Sequence, residues 1–95
     1  MAAYMIVDED VFNLAAIDEY GAAARPTIVA HGGKALIRTT ECLALEGDWK
    51  PKRLVVLEFE SKEAALNWYN SPEYQATIPL RKKGANTNFL LVEGI

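Results

Sequence analysis

The chain has 95 residues, 51% of them hydrophobic and 24% charged, with a net charge of −3. This length and composition predict one globular domain over residues 1–95 and exclude a disordered chain. The acidic balance and the scattered basic residues argue against a nucleic-acid partner, and no apolar stretch is long enough to predict a membrane span.

The first half of the chain predicts a strand, a helix and a second strand. The strand covers residues 3–8, and the helix runs from an N-cap at Asn13 to the glycine pair that follows His31. Pro26 lies inside this helix and predicts a kink or a break into two abutting segments, because proline lacks the N–H donor. The second strand covers residues 34–39, with residues 42–45 as a candidate continuation.

The second half predicts a strand, a helix in two pieces and a final strand. The third strand covers residues 52–60, after a turn at residues 46–51. Ser61 and Ser71 are predicted to cap the two helical pieces, and Gly84 to end the second. The fourth strand covers residues 88–93.

The strand segments are apolar on both faces. Residues 53–59 and 88–92 are nearly continuous hydrophobic runs, and residues 3–7 follow the same pattern. A sheet with one face in water should instead alternate apolar and polar residues. Because the chain has helices for one face only, we expect a second copy to cover the other.

The order βαββαβ predicts an α+β, ferredoxin-like fold. Right-handed crossovers give a four-stranded antiparallel sheet with strands one and three in the centre and the helices on one face. With the second copy, the prediction is a homodimer formed through the open sheet face.

Several motifs together resemble a known family. They are His31-Gly32-Gly33, the turn LEGDWKP at 45–51, the segment WYNSPEYQ at 68–75 and the closing Val92-Glu93-Gly94. With their spacing, these motifs look like the small bacterial family of domain of unknown function 1330, over residues 13–94. The resemblance implies a dimeric α+β barrel, in which two ferredoxin-like sheets pack face to face. It implies no activity, because the wider superfamily contains cofactor-free monooxygenases, isomerases, lyases and non-catalytic members.

Glu58 is a candidate general base. By strand alternation it shares a face with Leu54 and Val56, so it is a carboxylate in an apolar stripe, where burial raises a carboxyl pKa. A raised pKa suits general acid or base catalysis. The alternative interpretation is an ion pair with an arginine at the rim of the dimer.

His31 is the second candidate for catalysis. It is the only histidine, and an unperturbed histidine titrates near neutral pH. At a helix C-terminus its ring also interacts favourably with the helix dipole, and this structural role is the favoured interpretation.

Arginines and aromatic residues supply the candidates for ligand binding. Arg38, Arg53 and Arg81 are candidate anion clamps, since a guanidinium group matches a carboxylate. The alternative is that they form ion pairs with Glu46, Glu58 and Glu73. Six aromatic residues are candidates for lining a cleft between helices and sheet, with Trp68 favoured as core: Tyr4, Tyr20, Trp49, Trp68, Tyr69 and Tyr74.

Three functions remain open on the sequence. The first is an uncharacterised homodimer that binds a small apolar or weakly acidic molecule between helices and sheet. The second is a cofactor-independent oxygenase or isomerase that uses Glu58 or His31 as base, and the third is a purely structural or regulatory dimer. The single Cys42 and the absence of zinc-ligand spacing predict no metal or cofactor, and the start of the chain is interpreted as a strand rather than a signal peptide. We therefore expect a cytoplasmic protein.

Overall fold

The computed structural model describes residues 1–95 and contains four strands and four helices. They follow in the order β1 (Ala3–Val11), α1 (Leu14–Ala30), β2 (Lys34–Thr39), β3 (Leu54–Phe59), α2 (Lys62–Tyr69), α3 (Pro72–Gln75), α4 (Ile78–Lys82) and β4 (Ala85–Glu93). The strands form one antiparallel sheet in the order β2-β3-β1-β4. The predicted α+β, ferredoxin-like fold with strands one and three in the centre is confirmed.

Helix ends follow the predicted capping chemistry. The side chain of Asn13 accepts a hydrogen bond from the Ala16 N–H at 3.2 Å, and Ser61 accepts one from Ala64 at 3.1 Å. Ser71 does the same for Tyr74 at 3.2 Å. Helix α1 ends at His31, and Gly32 follows with φ 76°, a conformation that glycine adopts without steric cost.

Three local details differ from the prediction. Of the two alternatives predicted at Pro26, the break into two segments does not occur and α1 is one continuous helix, because proline removes a single hydrogen bond from a helix that Ile17 and Ala24 anchor by burial. Residues 42–45 form no strand, and Leu43 and Leu45 are both 85% exposed. The second helical region has three pieces rather than two, because the piece that Pro79 was predicted to shorten or bend is divided into α3 and α4, with Pro79 in the first turn of α4.

Strands β1 and β4 are longer than predicted. Their pairing extends without interruption from Ala3 opposite Glu93 to Val11 opposite Ala85. The acidic run at residues 8–10 is therefore part of β1 and not the turn after it.

The core lies between the helices and the inner face of the sheet. Met5, Val7, Leu57 and Phe59 point from the strands toward an aromatic cluster around Trp68, which is fully buried. The Trp68 ring lies 5.3 Å from that of Phe59 and 4.1 Å from that of Tyr74. Large aromatic side chains contribute strongly to core stability, so this cluster anchors the helices to the sheet.

The opposite side of the sheet, called the open face below, has an apolar centre that no helix covers. Strand pairing places Ile37, Val56, Ile6 and Leu90 in one row across it. Ile37 is 43% exposed and Leu90 is 59% exposed. Trp49 approaches one end of this face, where its indole N–H donates to Asp8 Oδ2 at 2.9 Å. Both faces of the strands are therefore apolar, as the sequence predicted.

None of the helices combines the length and the hydropathy that a membrane-spanning helix requires.

Candidate functional site

A small cleft lies between helix α1 and the inner face of β1, β2 and β3. We call it the α1 cleft, and its cavity volume is about 50 Å³. Its apolar walls come mainly from α1 and the central strands, and its polar lining consists of Glu9, Tyr20, Arg25, Arg38 and Arg53. A mostly apolar cavity with a few convergent polar groups is typical of small-molecule sites.

Glu9 is a carboxylate that the β1 alternation turns inward, after Met5 and Val7. It is only 4% exposed. Its Oε1 lies 3.4 Å from Arg53 Nε, and its backbone N–H donates to the Arg53 carbonyl at 2.9 Å. The strand pairing itself therefore holds the two charged side chains together.

Burial raises the pKa of Glu9 above its ordinary value of 4.5, because the charged carboxylate loses hydration. The charges of Arg53, Arg81 and Arg38 act in the opposite direction and offset only part of this effect. The folded protein then binds the Glu9 proton more tightly than the unfolded chain does. Stability from this group is complete below pH 4.5 and is lost as the pH rises through the raised pKa of the folded state.

Positive charge exceeds negative charge in the α1 cleft. Three guanidinium groups and one carboxylate line it, and only Arg53 forms an ion pair there. Arg38 lies opposite Val55 in the β2–β3 pairing. Val55 is two residues from Arg53 and shares its face of the strand, so both arginines are on the inner face of the sheet. Arg25 folds back over Gly21, where a Cβ would lie 2.9 Å from Arg25 Nη1. Glycine at this position leaves room for the guanidinium group at the edge of the cleft.

A chain of three polar side chains leads from the core to the α1 cleft. Arg81 Nη1 donates to the Tyr74 hydroxyl at 2.8 Å, and the Tyr74 and Tyr20 hydroxyls are 2.8 Å apart. Tyr74 is fully buried and Arg81 is 7% exposed. Burial raises the pKa of both tyrosines, so both phenols stay protonated at neutral pH.

Two buried polar atoms near this chain have no hydrogen-bond partner within the protein. They are Arg81 Nε and Thr87 Oγ1, and Thr87 lies directly opposite Glu9 in the β1–β4 pairing. Buried groups of this kind usually find partners, so the region behind the α1 cleft has unused hydrogen-bonding capacity.

Both candidates for catalysis, and Tyr4 among the candidates for ligand binding, lie outside the α1 cleft and the polar chain behind it. Glu58 is on the open face and pairs with Lys34 at 3.4 Å, so the partner is a lysine of the neighbouring strand rather than an arginine. Tyr4 lies opposite Glu58, whose neighbouring carboxylate raises the pKa of the Tyr4 phenol. His31 Nδ1 is 2.9 Å from the Thr27 carbonyl oxygen at the end of α1.

The other predicted residues fall in two neighbouring groups. Arg38 and Arg53 line the α1 cleft, and Tyr74 and Arg81 lie behind it in the polar chain. Arg53 pairs with Glu9, and neither Glu46 nor Glu73 forms an ion pair with an arginine, contrary to the alternative interpretation.

The sequence prediction did not include Glu9, because the first strand was ended at residue 8. Continuing the alternation by one residue places Glu9 on the inner face with Met5 and Val7. The sequence prediction did not include Arg25 either, which lies one turn after Gly21 on α1.

The fold and the α1 cleft define a ferredoxin-like α+β domain with a cationic cavity between helix and sheet. The family model described as "Domain of unknown function (DUF1330)" matches residues 2–95, and the chain belongs to this family. No curated protein matches the sequence.

Solved structures of low sequence identity share the fold. RPA0582 from Rhodopseudomonas palustris, a protein of unknown function, superposes with a TM-score of 0.82 at 17% identity, covering 99% of this chain and 82% of that one. SnoaB from Streptomyces nogalater, a cofactor-independent oxygenase, has a TM-score of 0.72 at 12% identity, covering 99% and 93%. A dimeric protein of unknown function from Bacteroides fragilis has a TM-score of 0.64 at 11% identity, covering 98% and 96%. These similarities extend to the fold alone.

The electrostatics of the α1 cleft can be tested through the Glu9 pKa. Arg53→Met should raise this pKa further, because it removes the charge that most favours the carboxylate. The measurement is a ¹³C NMR titration of the Glu9 carboxyl group. Lys52→Met is the matched control, because the Lys52 ammonium pairs with Asp10 at 3.2 Å and should leave the Glu9 pKa unchanged. A Glu9 pKa that stays constant or falls in Arg53→Met would contradict this description.

Proposed function

We propose that this protein is a cytoplasmic homodimer that binds a small, weakly acidic molecule in the α1 cleft. The observation that carries the proposal is the excess of arginine over carboxylate in an otherwise apolar cavity. Guanidinium groups bind carboxylates through paired hydrogen bonds, and such bonds strengthen when water is excluded.

The exposure of the charged groups supports a path from solvent into the cleft. Arg25 and Arg38 are exposed, Arg53 is partly buried and Glu9 is buried. An anionic ligand would therefore meet two unpaired guanidinium groups first, and then the apolar walls. Those walls suit the uncharged part of a weakly acidic molecule.

Arg38→Met tests the anion preference directly. We expect benzoate to bind the wild-type protein, and the substitution to weaken binding by about tenfold, the usual worth of one charge-assisted hydrogen bond. Binding is measured by ¹⁵N–¹H NMR titration at pH 7.

Lys50→Met is the control variant, because Lys50 is a surface cation outside the α1 cleft. Benzylamine is the control ligand, with the same ring and the opposite charge. Equal binding of benzoate and benzylamine would contradict an anion site, as would full benzoate affinity in Arg38→Met.

The apolar open face supports the homodimer. Leu90 and Val92 are 59% and 41% exposed, and two such sheets can pack face to face about 10 Å apart. A 95-residue chain buries a smaller fraction of its surface than a larger domain does, so covering this face adds stability. The Bacteroides fragilis protein, which shares the fold, is dimeric.

Leu90→Lys should convert the dimer to a monomer, because two lysines would enter the apolar centre of the interface. Sedimentation velocity at micromolar concentration measures the change. Val29→Lys is the control, since Val29 is 73% exposed on helix α1 and lies on the helical side of the sheet. A wild-type protein that sediments as a monomer would refute the dimer.

A second candidate function is a cofactor-independent enzyme in which Glu9 acts as the general base. The specific support is a buried carboxylate of raised pKa inside the α1 cleft, since a base works best when its pKa is close to the working pH. The sequence favoured Glu58 or His31 for this role, and both lie outside the cleft, in contact with Lys34 and Thr27 respectively. SnoaB shares the fold, and fold alone does not carry its activity over.

Proton abstraction can be measured as exchange of the α-protons of 2-indanone in D₂O by ¹H NMR. If Glu9 is the base, exchange should exceed the buffer rate and Glu9→Gln should lower the excess by about a hundredfold or more. Glu58→Gln is the matched control. Loss of exchange in Glu58→Gln alone would support the base predicted from the sequence instead. An absence of both exchange and benzoate binding would favour the third function, a purely structural or regulatory dimer.

A further inference from the structure

The direction of the hydrogen bonds in the polar chain can be derived from the number of protons available. A guanidinium group has donors only, so Arg81 Nη1 donates and the Tyr74 oxygen accepts. Apart from Arg81, the Tyr74 hydroxyl contacts one polar group, the Tyr20 hydroxyl, and Tyr74 is fully buried.

Only one arrangement of these hydrogen bonds gives every buried proton an acceptor. If Tyr20 donated to Tyr74, the Tyr74 proton would be buried with nothing to accept it, which folded proteins avoid. Tyr74 therefore donates to Tyr20, and the chain runs from Arg81 to Tyr74 to Tyr20.

The Tyr20 proton is then free for a partner outside the chain. The Tyr20 oxygen already accepts from Tyr74 at 2.8 Å, and the Arg81 guanidinium, which has donors only, also acts on it. No group of the protein, Glu9 included, accepts the Tyr20 proton. Its side chain is partly exposed and lines the α1 cleft. The positive charge of Arg81 polarises the whole chain, which makes Tyr20 a stronger donor than an isolated phenol.

We propose that Tyr20 is a ligand-binding residue that donates its phenolic proton to a carboxylate oxygen of the molecule held in the α1 cleft. Tyr74 and Arg81 are positioning residues, because they act on the ligand only through Tyr20. This inference rests on the proposed function and deepens it, since it names the group that the ligand presents to Tyr20.

The test is a benzoate titration of protein labelled with ¹³C at tyrosine Cζ. Tyr20→Phe should weaken benzoate binding by about tenfold, since it removes one hydrogen bond to a charged group. Tyr74→Phe keeps the Tyr20 hydroxyl but removes the hydrogen bond that this hydroxyl accepts from Tyr74, so we expect a smaller loss of benzoate affinity, about threefold. Tyr69→Phe is the matched control, because Tyr69 packs in the same aromatic cluster and its hydroxyl makes no hydrogen bond.

The NMR signal of Tyr20 Cζ gives a second readout that depends on the hydroxyl rather than on overall stability. It should shift when benzoate is added to the wild-type protein and to Tyr69→Phe. In Tyr74→Phe it should start from a different position and respond less, which a purely structural role for Tyr74 would not produce.

The possible results separate this inference from the proposed function. Benzoate that binds wild type and Tyr20→Phe equally would overturn the role of Tyr20 and leave the anion site intact. A Tyr20 signal that does not respond to bound benzoate would do the same, even if Tyr20→Phe failed to fold. A wild-type protein that binds no benzoate would overturn both.

Discussion

The register of β1 against β3 and β4 decides the position of every other feature. β1 is a central strand, and it pairs along its whole length with β4 and over six residues with β3. Its alternation sends Met5, Val7 and Glu9 to the helical side and Ile6 to the open face. A shift of one residue would exchange the two sets, moving Glu9 to the open face and out of the α1 cleft. The apolar core on one side and the uncovered apolar centre on the other both oppose such a shift.

The buried charges are poorly explained by stability alone. Replacing a buried ion pair with well-packed apolar residues is often neutral or stabilising, because desolvation costs as much as the attraction returns. Glu9 is nevertheless buried in the lining of the α1 cleft, and Arg81 is buried behind the cleft with one nitrogen that has no partner. A ligand that completes the contacts of such groups can offset the free energy that their burial costs. This cost is consistent with the ligand site proposed above.

The architecture could be predicted from the sequence because its signals are local. Caps at Asn13, Ser61 and Ser71 mark where helices begin, and the apolar strands indicate a sheet with two covered faces. The effect of Pro26 was overestimated, since the burial of one helix face outweighs the loss of one hydrogen bond.

The site was harder to predict because its residues come together only through strand pairing. Arg38 and Arg53 were singled out, but Glu9 was hidden in an acidic run that resembles the end of a strand. Glu58 has the same chemistry as Glu9, and the alternation of β3 puts it on the open face beside Lys34. Side chains of a strand alternate between its two faces, so a difference of one residue decides whether a carboxylate faces the cleft. An error of one residue at a strand end therefore changes which carboxylate is the candidate site residue.

The two faces of the sheet separate the two parts of the proposed function. The open face would pack against a second copy, whereas the α1 cleft lies on the helical side of the sheet. Neighbouring residues of β1 and β3 point alternately to the open face and to the helical side. A two-layer domain with one bare sheet face has little to hold that sheet at a fixed twist, and a second sheet supplies the missing layer. Since the distance between Glu9 and Arg53 is set by the β1–β3 pairing, a partner that makes this sheet rigid also fixes the geometry of the cleft.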